Sequence, residues 1–288
     1  MKLASYKASG AVSYGAVIDD RLIDLGRRFG KRYPDLRAVL EAQAIPELAS
    51  AMSDTGLPTY SLASVDLLPP IGNPDKILCI GRNYQAHAAE ANNTVSPFPL
   101  LFLRLTNTLV AHEQPMVRPK VSGDFDYEGE LAVIIGKPGR HIPKDEALQY
   151  VAGYSCFNDG SIRDYQFQHC LTTGKNFHAS GGFGPFLVLT DEVPDPSALT
   201  LSTRLNGVQV QHSGVDQLVF DIPTLIHYIS SFTPLAAGDV ICTGTPEGVG
   251  CFRKPPLWMK PGDVIEVDIP GVGVLRNPII SEEPGTSG

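Results

Sequence analysis

Two glutamates, Glu128 and Glu130, stand two residues apart in the segment DYEGELAVIIGK. A β-strand puts side chains i and i+2 on one face, with Cα atoms roughly 6.6 Å apart. Carboxylates held side by side at the start of an apolar strand repel one another unless a positive charge neutralises them. A third carboxylate, Asp159, lies at the polar end of another apolar run, AGYSCFND. Three carboxylates without a Cys or His cluster describe a hard oxygen site, suited to Mg2+ or Mn2+, with Ca2+ also compatible. Three ligands leave positions open for water and a chelating substrate.

His87 and Glu90 form a second constellation. At i and i+3 they share a face if RNYQAHAAEANN is helical, as its alanines suggest. A carboxylate on one imidazole nitrogen orients the ring and raises its basicity, so the other nitrogen can take a proton from water. Lys175, in TTGKNF, could balance an anionic substrate; no GxxxxGK[ST] pattern precedes it, so it is not a phosphate-loop lysine. TGTPEGVG, at 243–250, is suited by its Gly and Thr content to offer N–H and hydroxyl groups to an anion. Taken singly, each of these also reads as a surface histidine, a solvated lysine or a tight turn.

Positioning such groups needs a rigid frame, and the sequence points to strands. The chain has 288 residues, with 28 Gly and 24 Pro spread along it between short apolar runs. That share exceeds the average of about 12% and marks many turns. KILCI, LLFLRL, PMVRP, GELAVIIGK, AGYSCFND, GPFLVLT and DVICTG read as strands. LSTRLNGVQVQ reads as a hairpin on Asn206-Gly207, and DVIEVDI with VGVLRNPI as a strand pair turning at Pro270-Gly271. KDEALQYV and DIPTLIHYISSF read as helices. Residues 1–70 read as a separate unit, with a hairpin at Ser9-Gly10, the short strand RLIDLG, and apolar positions at helical spacing in YPDLRAVLEAQAIPELASAM, at Leu36, Val39, Leu40 and later Leu48. A crossing to a second domain is expected near residue 70, and residues 281–288 are expected to form a mobile tail.

Composition narrows the partners. Apolar residues make up 43% and charged residues 19%, as in a globular protein. The formal net charge of -8 disfavours nucleic acid and anionic membranes. No apolar run is long enough for a membrane span or a secretory signal, so a cytoplasmic location is expected. Five cysteines without a CxxC pair indicate neither a zinc knuckle nor a disulfide framework.

KILCIGRNYQAHAAE, DYEGELAVIIGK, FNDGSIRDYQ, TTGKNF, FGPFLV, RLNG and TGTPEGVG follow one another in an order that resembles the fumarylacetoacetate hydrolase family. The resemblance spans about residues 70–280. It implies an α+β, β-rich class: a mixed β-sandwich roll over 71–280 behind a small N-terminal α/β domain. It also implies a Mg2+ or Mn2+ centre and a homodimer. By position, the family's ExE and ND motifs match Glu128, Glu130 and Asp159 as metal ligands. Its HxxE lid motif matches His87 and Glu90 as a water-activating pair on a lid over 82–99, mobile without ligand. Its GK[SN]F lysine matches Lys175. Arg163 and Gln166 of RDxQ, Thr245 of TGTP, and Arg82 and Tyr84 of GRNY are the implied substrate-binding residues. His178, Arg82 in GRNY, Arg104 in LFLRLTN and Gly160 stand where relatives commonly carry other residues, and they are expected to line the pocket.

The implied activity is hydrolysis of a C–C bond in β-diketo acids of the acylpyruvate or fumarylpyruvate type, through an enolate that the cation and Lys175 stabilise. The same electron sink would serve oxaloacetate decarboxylation, 2-keto acid isomerisation or hydration and dehydration. A non-catalytic binding protein on the same fold is the remoter alternative.

Overall fold

In a computed structural model, residues 1–53, 56–90 and 96–283 are described. The fold is β-rich and mixed, as the strand and turn pattern predicts. Its centre is the strand Gly129–Ile135, buried at every position. A strand covered on both faces reads as a continuous apolar run rather than an alternation, which is what LAVII, following Glu130, is. On one side it pairs antiparallel with Val151–Asn158, with Gly129 opposite Asn158. On the other it pairs antiparallel with Val240–Cys242, which in turn runs parallel to Ile77–Gly81. Leu100–Leu103 closes that end of the sheet.

The opposite end of the same sheet is built from the N-terminus. Gly181–Leu189 follows Val151–Asn158, and Lys2–Ala8 pairs with it through Lys2 opposite Val188 and Leu3 opposite Leu187. Ala11–Ile18, Arg21–Asp24 and Thr59–Ser61 extend the sheet outward. The change in sequence pattern near residue 70 is thus crossed by one continuous ladder. One core cluster joins Leu3, Tyr14, Leu25 and Leu48 to Ile77, Phe157 and Leu187.

A second sheet runs in the order Val208–Gly214, Thr200–Leu205, Val264–Ile269, Gly273–Ser281, Met116–Arg118. Its Leu201, Val267 and Leu275 pack with Leu131, Val133 and Cys156 of the first sheet, which makes the sandwich. The Asn206-Gly207 hairpin forms, with φ of 53° and 77°. Both central residues of such a two-residue turn need positive φ, which Asn and Gly adopt at least cost. Ile222–Phe232 is a helix capped by Asp221, whose carboxylate accepts the Thr224 N–H at 2.8 Å; Ile222, Leu225, Ile226 and Ile229 bury one face.

Two helical stretches take a finer form than their apolar spacing implies. The stretch 33–52 holds two helices, Leu36–Glu41 and Ile45–Ala51. Gln43 turns to a φ of 53°, and Pro46, which has no N–H to donate, sits in the first turn of the second helix. Leu36, Val39, Leu40 and Leu48 still reach the core. The helix expected over KDEALQYV forms as a 3₁₀ helix, Lys144–Tyr150. Among the described residues no helix is long and apolar enough to cross a membrane.

Candidate active site

Glu128, Glu130 and Asp159 converge. Each offers an oxygen, and these oxygens lie within 4.8 Å of one another, all on buried side chains. The backbone explains the convergence. Glu128 precedes the central strand, and its N–H donates to Asn158 Oδ1 at 3.0 Å, while the Asp159 N–H donates to Glu128 O at 2.8 Å. The ends of two paired strands are thereby locked together. Glycine is required between the glutamates, because a Cβ at Gly129 would lie 2.1 Å from Thr203 Oγ1.

Three buried cations surround the carboxylates. Lys175 Nζ donates to Glu128 Oε2 at 2.7 Å and to Asp159 Oδ2 at 2.6 Å. Arg104 Nη1 donates to Asp159 Oδ1 at 2.5 Å and to Gly160 O at 3.0 Å, and Arg104 Nη2 to Ser180 Oγ at 2.7 Å. Arg163 Nη2 meets Glu128 Oε1 at 2.7 Å, and its Nε meets Asp126 Oδ2 at 2.8 Å. Asp126 also accepts the N–H groups of Gly250 and Cys251, so one carboxylate holds both the arginine and the loop after TGTP.

The charge distribution is uneven. Burial pushes the Glu128 carboxyl up, but Lys175 and Arg163 outweigh it and hold the group down at about 2. Burial also opposes charge on Lys175, yet Asp159 and Glu128 raise it above the ordinary lysine value, so it is an ammonium at neutral pH. Glu130 has no ion-pair partner among the described residues; its Oε2 accepts only the Gly244 N–H, at 2.9 Å. Burial and then the charges of Asp159 and Glu128 raise its carboxyl well above the usual range. A divalent cation among the three oxygens would supply the missing positive charge, so this donor set fits a hard metal ion.

His87 and Glu90 sit on the short helix Gln85–Glu90. His87 Nδ1 lies 3.3 Å from Glu90 Oε2, and Glu90 accepts the Gly248 N–H at 3.1 Å through both oxygens. The dyad is therefore docked on the TGTPEGVG loop. The expected lid continues through 91–95, which lie outside the described residues.

A cavity of about 270 Å³ opens between these groups. Arg82, His87, Glu128, Arg163, Lys175 and Thr245 line it on the polar side, together with Gln166. Phe102, Phe167, Leu171 and Phe252 form the apolar side. The Gln166 carboxamide oxygen accepts from Arg163 Nη1 at 2.9 Å, which aims its NH₂ elsewhere. The Thr245 hydroxyl donates to Gly129 O and accepts from Gln211 Nε2, so its hydrogen is already committed. Tyr84 is buried and is not on the cavity wall.

Of the four departures expected to line the pocket, Arg82 does and the other three do not. His178 is exposed. Gly160 is buried against Ser180, where a Cβ would meet Ser180 O at 2.1 Å. Arg104 lies behind Asp159 as its clamp. Sequence reasoning also missed Asp126 and Gln211. Asp126 had a signal, an acid two residues before the ExE pair. Gln211 had none, since it looks like any residue of an alternating strand, yet it accepts the Gly129 N–H and donates to Thr245 Oγ1 and Pro246 O.

The comparisons follow this geometry. The family model for the fumarylacetoacetate (FAA) hydrolase C-terminal domain matches residues 76–280. The mitochondrial oxaloacetate tautomerase fahd2 of Xenopus laevis is 36% identical over 288 residues, covering 97% of this chain and 90% of its own. The human mitochondrial oxaloacetate tautomerase FAHD2A is 40% identical over 227 residues, covering 78% of this chain and 72% of its own. Among solved structures, fumarylacetoacetate hydrolase from Exiguobacterium antarcticum has a TM-score of 0.86 at 32% identity, covering 98% of this chain and 100% of the other. Maleylpyruvate hydrolase from Sphingobium sp. SYK-6, solved with manganese(II) and pyruvate, has a TM-score of 0.82 at 30% identity, with coverage of 98% and 100%. With its carboxylate triad, its sandwich and this extent of matching, the chain belongs to the fumarylacetoacetate hydrolase family.

Proposed function

We propose that the protein catalyses keto–enol interconversion of a short 2-oxo acid, the class to which the oxaloacetate of its named relatives belongs. The observation that carries this reading is one cavity walled by both an oriented imidazole and the carboxylate triad's Glu128. Glu128, Glu130 and Asp159 would hold a Mg2+ or Mn2+ ion, which supplies an electrophile to polarise the 2-oxo group and its carboxylate. The remaining chemistry belongs to side chains. Glu90 accepts a hydrogen bond from His87 Nδ1–H, which leaves Nε2 to take a proton from C3 and deliver it to the C2 oxygen, giving the enol, and to carry that proton back to C3 in the reverse direction. Lys175 and Arg163 keep the cavity positive as negative charge develops on the substrate oxygen, and the Gln166 NH₂ is available to that oxygen. The apolar side limits water, which strengthens each of these interactions.

A second reading keeps the same residues and lets His87 take the proton from water instead, giving hydrolytic C–C cleavage of acylpyruvates. The family's hydrolases favour it, because they share this fold at comparable TM-scores. A substrate panel separates the two. With Mn2+ or Mg2+ present, oxaloacetate ketonisation is followed in the ultraviolet and acylpyruvate cleavage by pyruvate release. Fast ketonisation that His87→Ala slows by about 10² to 10⁴ supports the first reading. Rapid pyruvate release with ketonisation at the uncatalysed rate replaces it with the second.

A further inference from the structure

The edge strand Val208–Gly214 of the second sheet carries one residue more than its neighbour. Thr203 faces Gln211 across the pair, Arg204 faces Gln209, and Val210 has no residue opposite it. Such a bulge turns the next side chain out of the alternation that a strand otherwise imposes. Val210 and Gln211 are accordingly both buried, between exposed Gln209 and exposed His212. A buried carboxamide costs free energy unless its donors and acceptor find partners. Gln211 finds them between the metal-site glutamates and the TGTP loop. Gly129 N–H donates to its Oε1 at 3.0 Å, and its Nε2 donates to Thr245 Oγ1 at 2.8 Å and to Pro246 O at 2.9 Å. A backbone N–H only donates and a carbonyl only accepts, so the amide has one orientation. The Thr245 hydrogen then goes to Gly129 O, 2.9 Å away, and a ring of hydrogen bonds closes through Gly129, Gln211 and Thr245. The bulged residue's carbonyl is used as well. Val210 O accepts Arg253 Nη2 at 2.5 Å, and Arg253 Nε donates to Gly248 O at 3.1 Å.

We propose that Gln211 is a positioning residue for the metal centre: through the bulge at Val210, the second sheet sets the spacing of Glu128 and Glu130, ligands that it does not itself supply. This rests on the triad's holding a divalent cation, and not on which reaction the cation serves. Glycine is the most conformationally free residue that could stand between two ligands. The ring removes that freedom by holding both the N–H and the carbonyl of Gly129. It also fixes Thr245, and so the preceding Gly244, whose N–H meets Glu130 Oε2 at 2.9 Å. Groups that hydrogen-bond to the supports of metal ligands orient those ligands, and their loss is felt in metal affinity. A closed ring adds to this, because each of its hydrogen bonds polarises the next.

Calorimetric titration of the full chain with Mn2+ tests this. Gln211→Met keeps the length of the side chain and removes its polar atoms; it is expected to bind Mn2+ about 10- to 100-fold more weakly than the parent protein. Thr245→Val opens the same ring. Since both act through Gly129, the double variant should bind within about 3-fold of the weaker single variant, whereas independent effects would multiply. Val210→Ala, which removes apolar packing at the adjacent position and leaves the ring closed, should melt at a lower temperature and keep the parent's Mn2+ affinity. In the metal-free protein, hydrogen exchange should quicken in Gln211→Met at Gly129 and also at Gly244, which Gln211 does not touch. Parent affinity in Gln211→Met, an equal loss in Val210→Ala, or multiplying losses in the double variant each overturn the proposal. If Gln211→Met does not fold, Thr245→Val decides, and parent affinity in that variant overturns it. A parent protein that binds no Mn2+ overturns the metal reading and this assignment with it, whereas a parent that binds and variants that match it overturn this assignment alone.

Discussion

At the residue scale, the decisive fact is the mismatch between Glu128 and its neighbour two positions on. Both are buried, but Glu128 touches two cations and Glu130 touches a backbone N–H. Their effects on stability oppose one another. The Glu128 contribution is complete above its ordinary value of 4.5 and is lost as pH falls towards 2. Glu130 behaves the other way: its contribution is complete below 4.5 and is lost as pH rises through its elevated value. At neutral pH Glu130 therefore makes the metal-free fold less stable than it would be in acid. Glu130→Gln should raise the melting temperature of the metal-free protein at pH 7, by roughly 2–4 °C for each kcal/mol relieved. The same change removes a ligand oxygen, so Mn2+ affinity measured by calorimetry should fall at least about 100-fold. A variant that melts lower without metal would show that Glu130 is held by something other than the absent charge.

At the scale of elements, the dyad depends on a loop that is distant in sequence. The helix Gln85–Glu90 has six residues, too short to be stable alone, so its position comes from its contacts. Glu90 is anchored by the Gly248 N–H, and Gly248 has a φ of 95° with room for no Cβ: one would lie 2.3 Å from Val210 O. Gly248→Ala must therefore shift the loop and release Glu90. We expect kcat to fall by about 10-fold or more while Mn2+ affinity changes little, since none of the triad's carboxylates contacts Gly248. Glu90→Gln, which keeps an acceptor for the same N–H, should lose less than Glu90→Ala in the same assay. Unchanged kcat in Gly248→Ala would mean that the anchor does not orient His87.

The same contrast explains what could be read in advance. Glu128 with Glu130, and His87 with Glu90, are local pairs whose geometry follows from a period of 2 or 3.6. Asp159 was readable as the polar end of an apolar strand. The roles of Arg104 and Gln211 were not, and Asp126 offered only its place two residues before Glu128, because each acts on a partner that long-range pairing brings near: Arg104 on Asp159, Asp126 on Arg163, Gln211 on Gly129. The strands and the Asn206-Gly207 turn were legible from β-branched runs and turn residues. The break at Gln43 was not, since helical periodicity continues across it and only Pro46 hints at a second start.

At the scale of the whole molecule, the N-terminal seventy residues look separable in sequence but are joined to the site's own sheet. Lys2–Ala8 hydrogen-bonds along Gly181–Leu189, which pairs with Val151–Asn158, the strand that leads into Asp159. The Met1 ammonium meets Asp191 at 2.8 Å, just past the end of the neighbouring strand. Removing residues 1–70 would expose an edge of that strand and strip Leu3, Tyr14, Leu25 and Leu48 from a core that they share with Ile77, Phe157 and Leu187. Each large apolar side chain lost from such a core costs about 2–5 kcal/mol, and total stability is typically only 5–15 kcal/mol. A fragment starting at residue 71 should therefore aggregate or lack a cooperative melt, and the full chain should unfold in urea in one transition, seen alike by far-ultraviolet circular dichroism and by the fluorescence of Trp258. A soluble fragment that melts cooperatively and binds Mn2+ as the full chain does would show that the shared ladder is dispensable and that the two segments fold independently.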